Sequence, residues 1–206
     1  MLTTFQNKKI NDLNFLNINK IEILGISNTE KNQFKTRLEY LYDQNIFKIK
    51  KNEILDLLST EKILESINIK KNYPTKLIAN FKKTEFIAIT KVNNLDYYIG
   101  SNKNLILTSN KKTKLPRIND STNYSDLLKL KKIIDQSNLN FGSIEEITYF
   151  KSGRYDLLMA NGLIIKLPIN NLESSIKFLE KIIFRNEFNN LKIIDLRLNN
   201  QLIVYD

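Results

Sequence analysis

Cysteine, histidine and tryptophan are missing from all 206 residues, and alanine, proline and glycine number only 3, 3 and 5. Without Cys or His there is no disulfide, no metal site built on those ligands, and no catalysis by either side chain. The absence of cysteine leaves the redox compartment unread, because zero Cys suits either side of a membrane. Long apolar runs are missing too. The longest charge-free stretches, Gln136–Ile144 and Leu157–Ile165, are far too short to span a bilayer. Five glycines, none at phosphate-loop spacing, exclude a nucleotide cradle.

What remains is dominated by 30 Ile, 29 Asn and 27 Lys. With 42 % hydrophobic and 10 % aromatic residues the chain can bury a core. The net charge of +10 invites a nucleic-acid reading, yet the halves Met1–Lys91 and Val92–Asp206 carry +6 and +4. Lys outnumbers Arg 27 to 5, and Arg is the residue for bidentate phosphate and base contacts. The tightest runs, Lys48-Ile49-Lys50-Lys51 and Lys111-Lys112-Thr113-Lys114, show no interleaved aromatic platform. A diffusely basic, solvated surface is expected, and no nucleic-acid partner.

Periodicity outlines two α+β units. Residues 1–18 read as a lead-in segment. Asn19–Gly25 alternates like a strand ending at a glycine turn. Ser27 and Glu30 stand at capping-box spacing, ahead of a helix with Phe34, Leu38, Leu41 and Tyr42 inward. Asn52 is expected to cap a second helix with Ile54, Leu57 and Leu58 inward. Strands Leu64–Lys71 and Lys76–Lys83 follow, broken at Asn72-Tyr73-Pro74. The unit 19–90 is thus β-α-α-β-β.

Residues 91–206 read as a mostly antiparallel β domain with two flanking helices. Short strands are expected at Phe86–Lys91, Leu95–Gly100 and Leu105–Thr108, then an extended link Leu115-Pro116-Arg117-Ile118. A helix over Asp126–Ser137 carries Leu127, Leu130 and Ile134. Strands Ile144–Lys151, Gly153–Ala160 and Gly162–Leu167 surround Asn161-Gly162, read as a type I′ turn. Asn170 and Glu173 form a second capping box before a helix with Leu172, Ile176, Leu179 and Ile183 as one stripe. Leu191–Leu198, Asn199-Asn200 and Gln201–Tyr205 make a terminal hairpin.

Chemistry is hard to find in this pattern. Glu145-Glu146 lies in a strand, where neighbours face opposite sides and cannot share a site. Asp156, Asp195, Arg154 and Arg197 read as cross-strand ion pairs of little worth. No enzyme, cofactor or metal is expected. Gln201-Leu202-Ile203-Val204-Tyr205 is β-prone and uncharged; as a sheet edge it would be a template for another chain, and as a central strand it would be fully paired.

The order of motifs resembles the extra-cytoplasmic region of the bacterial FtsQ/DivIB cell-division family. Ile21-Glu22-Ile23-Leu24-Gly25 resembles the I-x-V-x-G strand that opens its POTRA domain, and Tyr73-Pro74 with Leu77 its P-x-x-L turn, after Lys70 and Lys71. Ala88 resembles the alanine that follows that domain. Leu115-Pro116-Arg117-Ile118 resembles a linking L-P-x-I. Gly153-Arg154-Tyr155-Asp156-Leu157, Asn161-Gly162 and Lys166-Leu167-Pro168 resemble a G-R-W-D-L, N-G, x-L-P hairpin, and Ile194-Asp195-Leu196-Arg197 resembles I-D-L-R. Two positions depart: Lys83-Thr84-Glu85-Phe86 replaces E-R-x-P, and Tyr155 stands where Trp is common.

The resemblance implies a non-enzymatic divisome scaffold on the periplasmic side of the inner membrane, helping to control septal peptidoglycan synthesis. Its implied partners are FtsB/FtsL-like bitopic division proteins. Gln201, Leu202, Ile203, Val204 and Tyr205 would form the docking edge, with Arg154 near that contact. The family also implies a single-pass membrane anchor before the POTRA domain, so Met1–Ile18 is read as the remnant after a missing anchor. The other readings are a POTRA-type module of an outer-membrane assembly or secretion factor, and a basic nucleic-acid binder. The first would carry repeated POTRA units or many alternating strands, the second an affinity falling steeply with salt.

Overall fold

The carboxylate of Glu30 accepts the backbone N–H of Ser27 at 3.0 Å and its hydroxyl at 2.6 Å, opening helix α1 over Asn28–Leu38. The structure, a computed structural model, describes residues 14–107, 114–119, 123–183, 191–198 and 201–205. Two compact units meet in sequence between Thr84 and Glu85.

In the first unit β1 (Lys20–Leu24) runs parallel to β3 (Lys76–Lys83), which pairs antiparallel with β2 (Leu64–Asn72), in the order β1-β3-β2. Helix α1, a 3-10 turn over Glu39–Leu41 and α2 (Lys51–Leu58) complete the expected β-α-α-β-β order. Central β3 buries Leu77, Ala79 and Phe81 by simple alternation, and the Phe81 ring stacks on Phe34 of α1 at 4.7 Å. Gly25 ends β1 at a φ of +84°, and a Cβ there would lie 1.8 Å from the Phe81 carbonyl oxygen. Only glycine fits so close an approach.

Several expectations shift by a residue or a face. Asn52 does not cap α2: the helix starts at Lys51, with Lys50 at the cap position and no side-chain cap bond. Asn45 pins the preceding loop earlier, accepting Phe47 N–H at 3.0 Å. Leu57, expected inward, is exposed beside buried Ile54 and Leu58, because so short a helix buries only its i, i+4 stripe. The lead-in read for 1–18 ends inside the core: Ile18 is fully buried and donates to the Gln44 carbonyl at 2.9 Å, while Leu16 accepts from Ile46 at 2.9 Å.

The second unit is a nine-stranded sheet in the order β12-β11-β10-β9-β8-β7-β4-β5-β6. Its strands are β4 (Phe86–Val92), β5 (Leu95–Gly100), β6 (Leu105–Leu107), β7 (Arg117–Ile118), β8 (Ile144–Phe150), β9 (Arg154–Met159), β10 (Ile164–Pro168), β11 (Ile193–Asp195) and β12 (Ile203–Tyr205). Because β4 pairs with β5 and β7 in this sheet, residues 85–90 belong with the second unit, earlier than the boundary read between 90 and 91. The expected link Leu115–Ile118 contributes an interior strand of the sheet: Arg117-Ile118 is parallel to both β4 and β8. Helices α3 (Tyr124–Asp135) and α4 (Leu172–Ile183) each connect parallel neighbours, β7 to β8 and β10 to β11. Both pack on one face, with Leu127, Leu130, Ile134, Ile176, Leu179 and Ile182 in a single core cluster.

Local details differ here too. Asn161-Gly162 turns the β9–β10 hairpin, but Gly162 alone takes a positive φ, +85°, so the turn is not type I′. Gly162 N–H bonds the Met159 carbonyl at 2.8 Å and Met159 N–H bonds Leu163 at 2.9 Å, the pattern of a three-residue loop closed by a left-handed glycine. The Asn170–Glu173 box is out of frame, since α4 begins at Leu172 and the Asn171 carbonyl accepts Ser175 N–H at 3.1 Å. Ile182 rather than Ile183 completes the buried stripe. Glu145 and Glu146 are both exposed at a bulge in β8. The turn read at Asn199-Asn200 lies outside the described residues.

Gly25→Ala should lower the stability of the chain by at least about 2 kcal/mol in denaturant unfolding, since both φ and the Phe81 carbonyl oppose a side chain. The hydrogen bond from Lys83, then that from Ser27, holds the Glu30 carboxyl down at about 2 from 4.5. A depressed carboxylate pKa contributes stability above 4.5 that is lost as pH falls toward about 2. Glu30→Gln should cost about 1 kcal/mol at neutral pH and flatten the acid limb of a stability profile over that window.

Candidate docking surface

Along the large sheet the register sets two adjacent rows. One is apolar: Ile118, Ile147, Leu157, Ile165 and Ile194 stand opposite one another from β7 to β11, and the row ends at Val204 on β12. All but Val204 are buried under α3 and α4. The next row, on the opposite face, reads Thr148, Asp156, Lys166, Asp195 and Ile203. Two-residue side-chain alternation makes the second row follow from the first.

Asp195 is the buried charge of this face, 4 % exposed. Arg197, two residues on, forks onto it with Nε 2.8 Å from Oδ1 and Nη2 2.5 Å from Oδ2, and its backbone N–H adds a bond of 3.1 Å. Burial pushes the Asp195 carboxyl up, and the Arg197 hydrogen bonds and charge, with Lys166, more than offset it, so the net direction is down. Arg197 is held above its ordinary value by Asp195 first, with Asp156 and Tyr205 adding to the field. That fork is a geometry lysine cannot supply.

Arg154 sits on the same face. Its guanidinium lies 3.9 Å over the Phe150 ring, and its Nε stands 3.6 Å from Asp156 Oδ1, both atoms buried and without a hydrogen-bond partner. The ion pairs therefore run along single strands, Arg154 with Asp156 and Asp195 with Arg197, rather than across strands as the sequence suggested. Spacing of two puts each pair on one face, a signal the sequence does carry. A lone acid within Ile193-Ile194-Asp195-Leu196 also marks Asp195 as a residue needing a partner.

The structure does not bring Arg154 against Gln201–Tyr205; β10 and β11 lie between β9 and β12. The terminal strand is an edge. Among the described residues it pairs with β11 alone, through Ile203, Val204 and Tyr205, and Val204 and Tyr205 are 39 % and 52 % exposed. Gln201 and Leu198 line a groove of about 220 Å³ against Ser174, Ser175 and Phe178 of α4. Among the described residues β12 has no strand on its outer side, and the groove beside it is partly apolar. Among the described residues no cluster of three or more Asp or Glu side chains could hold a metal, and no helix is long and apolar enough to cross a membrane.

Comparison with known proteins places the region. The family model described as "Cell division protein FtsQ/DivIB, C-terminal" matches residues 88–197. The cell division protein DivIB of Clostridium botulinum is 31 % identical over 100 residues, covering 48 % of this chain and 39 % of that protein. The chain therefore spans about two fifths of that relative. A solved structure, the major extracytoplasmic domain of the trans isomer of DivIB from Geobacillus stearothermophilus, aligns over 52 % of this chain and 98 % of its own, with 15 % identity and a TM-score of 0.38.

Arg197→Ala should strand the buried Asp195 carboxylate and cost about 2 kcal/mol at neutral pH. With the Asp195 pKa lowered in the folded chain, the stabilisation is present above its ordinary 3.8 and lost below it. The deficit of the variant should shrink as the pH falls below that value, as read by denaturant midpoints across pH.

Proposed function

The chain belongs to the FtsQ/DivIB family of cell-division proteins, and from that premise we propose that it is a non-enzymatic scaffold of the divisome. It would bind FtsB/FtsL-like bitopic partners and help to control septal peptidoglycan synthesis. Its place would be the periplasmic side of the inner membrane, held by a single-pass anchor of the kind the family resemblance implies. The β-α-α-β-β unit would act as a POTRA-type recruitment module, and the nine-stranded unit as the partner-binding domain.

One observation carries the docking part of this reading. The apolar row of the sheet runs out to Val204 on an edge strand whose outer backbone groups have no strand beside them among the described residues. A partner strand laid along Gln201–Tyr205 would bond those amides and carbonyls and extend both rows by one residue each. Main-chain bonds supply affinity in such an arrangement, and alternate side chains supply selectivity. Arg154 contributes at a distance, at the far end of the charged face, by fixing the strands on which β12 rests.

Removal of Gln201–Asp206 should abolish pull-down of an FtsB-like partner while far-UV circular dichroism and the thermal midpoint stay close to those of the full chain. Binding retained by the shortened chain would remove the docking assignment. Arg154→Ala should weaken the same capture by about tenfold or less, the scale of a single indirect contact.

A further inference from the structure

Turning and loop segments of the first unit bring aromatic and basic residues together at one end of its sheet. The Phe47 and Tyr73 rings stack at 4.7 Å, yet both stay in solvent, 60 % and 53 % exposed. Phe15, 62 % exposed, lines a shallow groove with Thr75 of the same turn. Beside them stand Lys48, Lys50 and Lys51 on the loop and first turn of α2, and Lys71 on the end of β2. Lys71 ties the two segments together by donating to the Ile49 carbonyl at 2.7 Å. Among the described residues Glu53 lies 3.2 Å from Lys50, and Lys48, Lys50 and Lys51 are all exposed.

Two features of this end cost stability in water. Large aromatic rings left in solvent forgo burial. Lys50 and Lys51 stand at the start of α2, where the helix dipole is already positive and a carboxylate would be favoured. An anionic, partly apolar surface relieves both costs at once. Rings at the headgroup level and lysines reaching phosphates are the combination that binds a bilayer interface. Sequence reading missed it because Tyr73 meets Phe47 only through the fold.

We propose that this end of the first unit, with Phe47 and Tyr73 at its centre and Lys48, Lys50 and Lys51 beside them, is a peripheral contact for an anionic phospholipid surface. The surface stands on the first unit's own geometry and does not depend on the docking strand. Lysine suits it better than arginine, since a fluid headgroup layer rewards point charge rather than bidentate geometry.

The test is co-sedimentation of the full chain with vesicles of about 30 % phosphatidylglycerol in phosphatidylcholine, against phosphatidylcholine alone, at roughly 50 mM salt. Binding to the anionic vesicles only is expected, falling as salt rises. The triple change Lys48→Gln, Lys50→Gln, Lys51→Gln should weaken it by about 100-fold. Phe47→Ser with Tyr73→Ser should weaken it at high salt as well as low. Lys151→Gln, Lys177→Gln, Lys181→Gln removes the same charge from exposed sites of the second unit and should change binding by less than about threefold. Each variant is checked for an unchanged thermal midpoint, and one that melts early is replaced by charge reversal of Lys48 alone, expected to weaken binding by about tenfold or more. Absence of binding to anionic vesicles, or equal losses in the two lysine triples, would overturn the proposal. So would tighter, equally mutation-sensitive capture of a ~20-nucleotide single-stranded oligonucleotide, which would assign the surface to nucleic acid.

Discussion

The register of the large sheet is the constraint on which the second unit depends. Ile118, Ile147, Leu157, Ile165 and Ile194 must share one face for α3 and α4 to have anything to cover. Once they do, Asp156, Lys166 and Asp195 have no choice but the other face. A slip of one residue in any strand would put a charge under the helices and an isoleucine in water. The Asp195–Arg197 fork works in the same direction: it satisfies a carboxylate that lies close to the apolar row and therefore makes the native register the one in which that charge is tolerable.

That constraint was visible in the residues wherever strands alternate for five or more positions. β3, β9 and β10 follow the alternation, and the buried faces of α1, α3 and α4 follow helical spacing within a residue. What escaped was structure decided by distant partners. Arg117-Ile118 is too short to show a period and follows a proline, so only the neighbouring β4 and β8 make it a strand. The caps read at Asn52 and Asn170 missed because the flanking turns set where each helix starts: α2 begins at Lys51 with Lys50 at the cap position, and α4 begins at Leu172. The boundary moved because β4 carries residues equally suited to either sheet until its pairing with β5 is known. At the candidate surface, the edge position of β12 was one of two open readings, and the pairing of Arg154 with Asp156 required knowing that a spacing of two outweighs a cross-strand approach.

Composition gave one impression and the fold another. Thirty-two basic residues are spread evenly along the chain, which argues for a surface without a focus. Tertiary structure gathers some of them anyway, at the start of α2 and the end of β2, and sets exposed rings beside them. Elsewhere the basic residues are absorbed: Lys83 serves the α1 cap, Lys131 bridges to Asp135, and Arg197 serves Asp195. An even distribution in sequence is thus compatible with unequal roles in space.

β7 is only Arg117 and Ile118, yet it joins β4, β5 and β6 to the strands from β8 to β12. Each flank contains a meander whose strands are near neighbours in sequence, so each can form early from short loops at small entropic cost. The two parallel ladders of β7 close much longer loops and reward little until both flanks exist. Assembly of the domain would then finish in its interior, with the two-residue strand zipping together flanks that were already formed.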